Sequence, residues 1–165
     1  MCLKSAIDGV AQIRQIAARD TIALRDAVLR PGLPPGGSHY PGDDAPDTLH
    51  LGIHSGIYVA ASAQNTLAAV ATLCHESMPG EEMTSSWRLR GMATLPEHRG
   101  RGFGKQLAQR CIAYAAEQRG TLVWCTSRVA TVPFYSALGF EECSDAFPLP
   151  QYSDALYIRM QRPLP

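Results

Sequence analysis

A chain of 165 residues, 45% apolar and 18% charged, has the size and composition of one globular domain with an ordinary core. Its formal net charge of zero argues against general nucleic-acid or membrane-surface binding and confines any positive field to a local patch.

Val10 to Ile16 reads as a first strand and Ala17 to Leu29 as a helix, with Leu24, Ala27 and Val28 on one face and Asp20 or Thr21 as the cap. Pro31-Gly32 stops it. A Pro-, Gly- and Asp-rich loop from Arg30 to Asp47 is long enough to suggest a role beside a substrate. Thr48 to Ser55, Ile57 to Ser62 and Leu67 to Cys74 read as strands, with a turn at Ala63 to Thr66. His50 and His54 share a strand face with no third ligand at metal-ligand spacing, so no metal is expected. Met78 to Ser86 is a polar loop, and Trp87 to Thr94 is a further strand. After a glycine-rich turn comes an amphipathic helix: Phe103, Leu107, Cys111, Tyr114 and Ala115 form one stripe, and Gly120 ends it. Thr121 to Cys125 is a short apolar strand. Ala130 to Leu138 is a second helix, with Pro133 in its first turn and Gly139 as its cap. Phe140 to Ala146 and Ala155 to Met160 close the chain as strands around a Pro148–Asp154 loop. This order predicts an α/β fold: a mixed sheet of six to seven strands with flanking helices, one parallel crossover and antiparallel flanks, in a single domain over 1–165.

Five cysteines, Cys2, Cys74, Cys111, Cys125 and Cys143, are widely spaced without a CxxC pair. Most lie in apolar runs and read as buried free thiols of a reducing compartment. The start Met-Cys-Leu-Lys carries no signal pattern and no run approaches a membrane span. The expected location is cytoplasmic.

The turn itself holds Gly100, Gly102 and Gly104. Between Arg88 and Arg110 six basic residues face Glu97 alone. Glycines that admit a ligand to the backbone, followed by a helix N-terminus, make an anion site, and phosphate is the usual anion. A dinucleotide fingerprint fits poorly, because the glycines alternate and the acidic residue about 20 positions on is missing. An NTPase P-loop fails, because Gly104-Lys105 is followed by Gln106 and lacks the magnesium hydroxyl. The pattern Gln/Arg-x-x-Gly-x-Gly/Ala is met by Arg99-Gly100-Arg101-Gly102-Phe103-Gly104. With Met92-Ala-Thr-Leu-Pro-Glu-His before it and Ala130-x-x-x-Phe134-Tyr135-x-x-Leu138-Gly139-Phe140 after it, the chain resembles the GNAT acetyltransferase superfamily, most strongly from Trp87 to Glu142.

The resemblance implies acetyl-CoA, or a related acyl-CoA, as cosubstrate. It implies that backbone N–H groups from Gly100 to Lys105, with Phe103 among them, cradle the pyrophosphate. Arg99, Arg101 or Lys105 would meet the separate 3′-phosphate. The strand edge at Met92, Ala93 and Thr94 would pair with the pantetheine arm where two parallel strands splay, and a backbone N–H there would polarise the thioester carbonyl. Tyr135 matches the usual acid facing the thioester sulfur. Its proton is held roughly 2 kcal/mol too tightly for full transfer to a thiolate, so hydrogen bonding to the developing charge suffices.

Departures from the family pattern matter. Where many relatives carry Asn, this chain has Thr126-Ser127, and Thr126 is the expected substitute ligand. The strand before the turn, Arg88-Leu89-Arg90-Gly91, lacks the Glu that some relatives use as a base; Glu76 is the nearest candidate, with His75 or His98 behind it. For the acceptor, Asp43, Asp44 and Asp47 could attract a cationic amine, whereas Arg25, Arg30, Arg88 and Arg90 could hold a carboxylate, and the sequence leaves both open. The reading is an N-acetyltransferase for a small-molecule amine or amino acid, with no nucleic-acid or membrane partner and room for a homodimer. A non-catalytic acyl-CoA sensor on the same fold is the alternative, and a general nucleotide-phosphate binder is a third, weaker reading.

Overall fold

The computed structural model describes residues 11–55, 66–82 and 85–165. The expected strand at Ile57 to Ser62, most of the Ala63 to Thr66 turn, Cys2 and part of the Met78 to Ser86 loop lie outside them.

Among the described residues eight strands form one sheet. They are β1 (Gln12–Gln15), β2 (Leu49–Ser55), β3 (Thr66–His75), β4 (Ser86–Thr94), β5 (Leu122–Arg128), β6 (Glu141–Glu142), β7 (Phe147–Pro148) and β8 (Leu156–Pro163). The order is β1-β2-β3-β4-β5-β8-β6, with β7 also on β8, and every pairing is antiparallel except β4 with β5. Three helices accompany it: α1 (Ala18–Leu29), α2 (Phe103–Glu117) and the short α3 (Val132–Ser136). The predicted mixed α/β architecture with one parallel crossover is what the chain adopts.

The sheet is apolar on both faces. Alternation along β3 sends Ala69, Ala71 and Leu73 into a core shared with Phe103, Leu107, Cys111 and Ala115 of α2. Val70 goes instead to a smaller cluster with Leu24 of α1 and Ala93 of β4. The helices thus clasp β3 and β4 from the two sides, which fixes the strand that carries the site.

Several boundaries differ from expectation for local reasons. In α1 the cap is Ala17; Asp20 reaches back so that the Ala17 N–H donates to its carboxylate at 3.1 Å, and Thr21 turns inward to donate to the Ala18 carbonyl at 2.7 Å. At the end of α2 the left-handed residue is Arg119 (φ 59°), not Gly120. Gly120 answers to space instead: a Cβ there would sit 2.6 Å from Trp87. The strand expected at Thr121 to Cys125 runs on to Arg128 because β8 pairs with it along its whole length. The helix expected over Ala130 to Leu138 splits into a 3-10 turn (Val129–Thr131) and α3, with Pro133 in the first turn and Gly139 (φ 81°) closing it as anticipated. The long strand expected at Phe140 to Ala146 shrinks to two residues, because β6 meets only Gln161 and Met160 of β8.

Candidate active site

The one parallel pairing in the sheet is brief. Only Ser86, Trp87 and Arg88 of β4 pair, with Leu122, Val123 and Trp124 of β5. Beyond Arg88 the two strands part, leaving the stretch from Leu89 to Thr94 without a strand partner on the β5 side. A β-bulge assists, since the β3–β4 register slips between Val70 and Thr72. The residue that absorbs the slip is Gly91 at φ +58°, and a Cβ on it would meet the Arg25 guanidinium at 2.6 Å. Only glycine satisfies both conditions.

A cleft of about 1200 Å³ opens where the strands part. It is lined by the β4 backbone, the glycine turn, the ends of β5 and α3, and Tyr40 and Pro41 from the loop after α1. Of the sequence candidates, Glu76, Met92, Ala93, Thr94, Arg99, Gly100, Gly102, Phe103, Gly104, Lys105, Thr126 and Tyr135 all line it. Arg101 stands outside the lining.

At the turn, Gly102 is the N-cap of α2 and holds φ 77°. The first helical hydrogen bond runs from the Gln106 N–H to the Gly102 carbonyl at 3.0 Å. The N–H groups of Phe103, Gly104 and Lys105 therefore have no intrahelical acceptor, and among the described residues no backbone carbonyl accepts from Gly100, Arg101 or Gly102. Six consecutive donors at the positive end of a helix dipole, with no acidic residue in the first turn of α2, fit a pyrophosphate. Arg99 and Lys105 at the same wall supply cationic side chains.

Across the cleft, the Tyr135 hydroxyl donates to the Met92 thioether sulfur at 3.6 Å. Edge contacts with Phe134 and Phe140, at 5.0 and 5.7 Å between centroids, hold the ring. Burial pushes its hydroxyl well above the ordinary tyrosine pKa, assisted by the neighbouring Cys125, so it is a proton carrier and donor throughout the neutral range. Phe134, exposed beside it, also faces the cleft.

On the other side lies a chain of charged residues, two of which depart from the sequence expectation. Arg25 and Asp43 are not free to bind an acceptor: both side chains are 0% exposed and they pair at 2.6 Å. Arg25 also donates to the Ser38 carbonyl at 3.0 Å and to the Thr72 hydroxyl at 2.5 Å. Burial alone would raise the Asp43 carboxyl, but hydrogen bonds from Arg25 and the Tyr40 N–H, with the charges of Arg25 and Arg90, hold it below the usual range. His50 sits between the Thr72 hydroxyl at 2.7 Å and the Asp43 carbonyl at 2.8 Å, and burial depresses its pKa against the pull of Asp43. Arg90 donates to Asp43 at 3.1 Å, to the Pro41 carbonyl at 2.7 Å and to Glu76 at 3.5 Å. Arg88 donates to Glu76 at 2.8 Å. Tyr40, which sequence reasoning passed over, stacks under both Arg25 and Arg90, at 4.7 and 5.6 Å from ring centre to guanidinium carbon. An aromatic inside a Pro/Gly-rich loop was the available signal.

Cys74, Cys111 and Cys125 are buried free thiols, each pushed up to about 12 by burial, and Cys143 is half-buried and free. None is poised as a nucleophile.

Residues 53–142 match the family model described as the acetyltransferase (GNAT) domain. The chain belongs to the GNAT family. It is an acyltransferase whose cosubstrate is acetyl-CoA, and the donor-rich turn and opened β4 edge are where that molecule's pyrophosphate and pantetheine would fit. A curated relative, an uncharacterized N-acetyltransferase YitI of Bacillus subtilis (strain 168), is 30% identical over 139 residues, covering 84% of this chain and 88% of the relative. Among solved structures, the ribosomal-protein-S18-alanine N-acetyltransferase of Escherichia coli superposes with a TM-score of 0.68 at 16% identity, over 93% of this chain and 94% of that one. An aminoglycoside 6′-N-acetyltransferase complexed with coenzyme A gives 0.64 at 16% identity, over 93% and 98%. At such identities the likeness is one of fold. No described helix is long and apolar enough to cross a membrane.

Proposed function

We propose that this GNAT enzyme transfers an acetyl group to the primary amine of a small molecule or amino acid, with Tyr135 and Glu76 as its acid–base residues. The observation that carries the reading is the Tyr135 hydroxyl at the opened β4 edge, already donating to a sulfur at 3.6 Å. A thioester sulfur is an acceptor of the same soft kind as the Met92 thioether.

Acetyl-CoA supplies the activated acyl thioester. The chain's part is positioning and proton management. The N–H groups from Gly100 to Lys105, with Arg99 and Lys105, hold the phosphates; Arg101 stays a backbone contributor. The backbone at Met92, Ala93 and Thr94 orients the arm and directs an N–H at the carbonyl oxygen. Thr126, on the opposing strand, lines the same passage and offers a hydroxyl in place of the family's amide. Tyr135 hydrogen-bonds the departing sulfur; once the amine proton has gone to Glu76 and solvent, the thiolate takes its proton through Tyr135, which is reprotonated from solvent.

Among the described residues Glu76 is the carboxylate of the cleft lining, and its side chain is 38% exposed. Paired with Arg88 and Arg90 at the cleft wall, it would accept the amine proton through water and pass it to solvent. The test is thiol release on mixing the protein with acetyl-CoA and a pool of primary amines. Release that depends on an amine supports transfer; none with any acceptor, alongside normal CoA binding, favours the non-catalytic sensor.

A further inference from the structure

We propose that the acceptor carries a carboxylate as well as its amine, and that Arg88 and Arg90 on the cleft floor hold that carboxylate. The inference rests on the reading above that the acceptor is a small-molecule amine, and it names the acceptor's class.

The first observation is charge balance. Three guanidiniums, Arg25, Arg88 and Arg90, are linked to two carboxylates, Asp43 and Glu76, by contacts of 2.6, 3.1, 2.8 and 3.5 Å. Among the described residues no third carboxylate pairs with these arginines, and His50, held neutral, adds no negative charge. The cluster carries one positive charge more than it neutralises, in a place where a buried cation short of a counterion is costly.

The second observation locates that excess. Arg25 is sealed from the cleft, its own unpaired Nε included. Arg88 and Arg90 both line it, with side chains 29% and 11% exposed. Arg88 lies over the Trp124 ring at 4.7 Å, which fixes its plane. It uses Nη1 on Glu76, and its Nε has no acceptor among the described residues; the Nε of Arg90 has none either. Both Nε atoms are buried, so a carboxylate would meet the guanidinium nitrogens that the two side chains expose in the cleft, Arg88 foremost.

The third observation concerns what is excluded. Arg30 and Arg128 also line the cleft, and Glu76, already paired twice, is its acidic group. A polycationic acceptor would face Arg30, Arg88, Arg90 and Arg128, besides Arg99 at the phosphate wall, a repulsive arrangement. Along β4, Arg90 and Arg88 precede Met92 by about 7 and 13 Å, so amine and carboxylate can be served at separate points of one strand.

The experiment compares glycine, β-alanine, 4-aminobutyrate and 6-aminohexanoate, together with the common α-amino acids, each against its own primary amide. It measures kcat/KM by thiol release in the wild type, Arg88→Gln, Arg88→Lys and Arg90→Gln. Melting profiles verify folding, and Asp43 keeps Arg25 as a partner in every variant. The expectation is that at least one acid exceeds its amide by roughly tenfold to a hundredfold. Both Gln variants should raise KM for the acid, leave the KM for acetyl-CoA unchanged and lower kcat for acid and amide alike through their contact with Glu76, so that the acid-over-amide ratio is erased; Arg88→Lys should restore part of that ratio. Amides matching or exceeding their acids throughout, or a preference that survives both Gln variants, overturns the proposal. Binding is read separately, by calorimetry of the N-acetylated acids and amides on the CoA-loaded protein. Acids that bind through Arg88 and Arg90 while neither series is acetylated would sustain the carboxylate site and sink the transfer reading. Neither binding nor turnover overturns this one.

Discussion

Tyr135 shows what a single side chain must satisfy here. Its ring is set by two aromatic edges and its hydroxyl is held high by burial, so it is reliably protonated but a reluctant acid. Hydrogen-bond stabilisation of the leaving sulfur is therefore the role proposed for it. Tyr135→Phe should lower kcat by about 10²-fold or more while the affinity for CoA, measured by calorimetry, stays within twofold, since no phosphate contact is touched; unchanged kcat would remove the hydroxyl from the mechanism. The residue was legible because Phe134-Tyr135 stands at a fixed distance from the glycine turn. Arg25 and Asp43 were misread because their partners lie far away in sequence: Arg25 reaches Asp43 and Thr72, 18 and 47 residues on. Nothing local distinguishes such a buried pair from two solvated charges.

At the scale of elements, the site depends on where β4 loses its partner. Gly91 permits the bulge, α1 and α2 clamp the strand from its two faces, and the loop after α1 is tied to α1, β2 and β4 through Asp43. That tie has a predictable cost when cut. Asp43→Asn leaves Arg25 buried without a counterion and should destabilise the fold by about 3–5 kcal/mol, read as a lower denaturant midpoint. The same tie gives stability a pH dependence. The folded pKa of His50 is depressed, so the unfolded chain binds more protons below about pH 6.5, and stability falls as pH drops through that value. Asp43, also depressed, adds a second loss only below about pH 4. Element types came through well in the sequence, since 3.6- and 2-residue patterns are local. Their ends did not. β5 outran its apolar run because β8 pairs all along it, and β6 fell short because β8 offers it only two residues.

For the whole molecule, one opening in the sheet brings together a helix N-terminus, an unpaired strand edge, a tyrosine hydroxyl and a row of arginines. The residues proposed for the cosubstrate follow one another from Met92 to Lys105 and so stand out in the sequence. Glu76, Arg88 and Arg90, proposed for the acceptor side, could be named singly there, but their joining with Tyr40 comes only once the sheet has formed. Acetyl-CoA is expected to seat in this opening, on the β4 edge and the glycine turn. Amide hydrogen exchange with and without CoA tests it most directly. New protection confined mainly to Leu89–Thr94 and Gly100–Lys105, with β1 and β2 unchanged, is the predicted result. Protection elsewhere with these two stretches unaffected would contradict it.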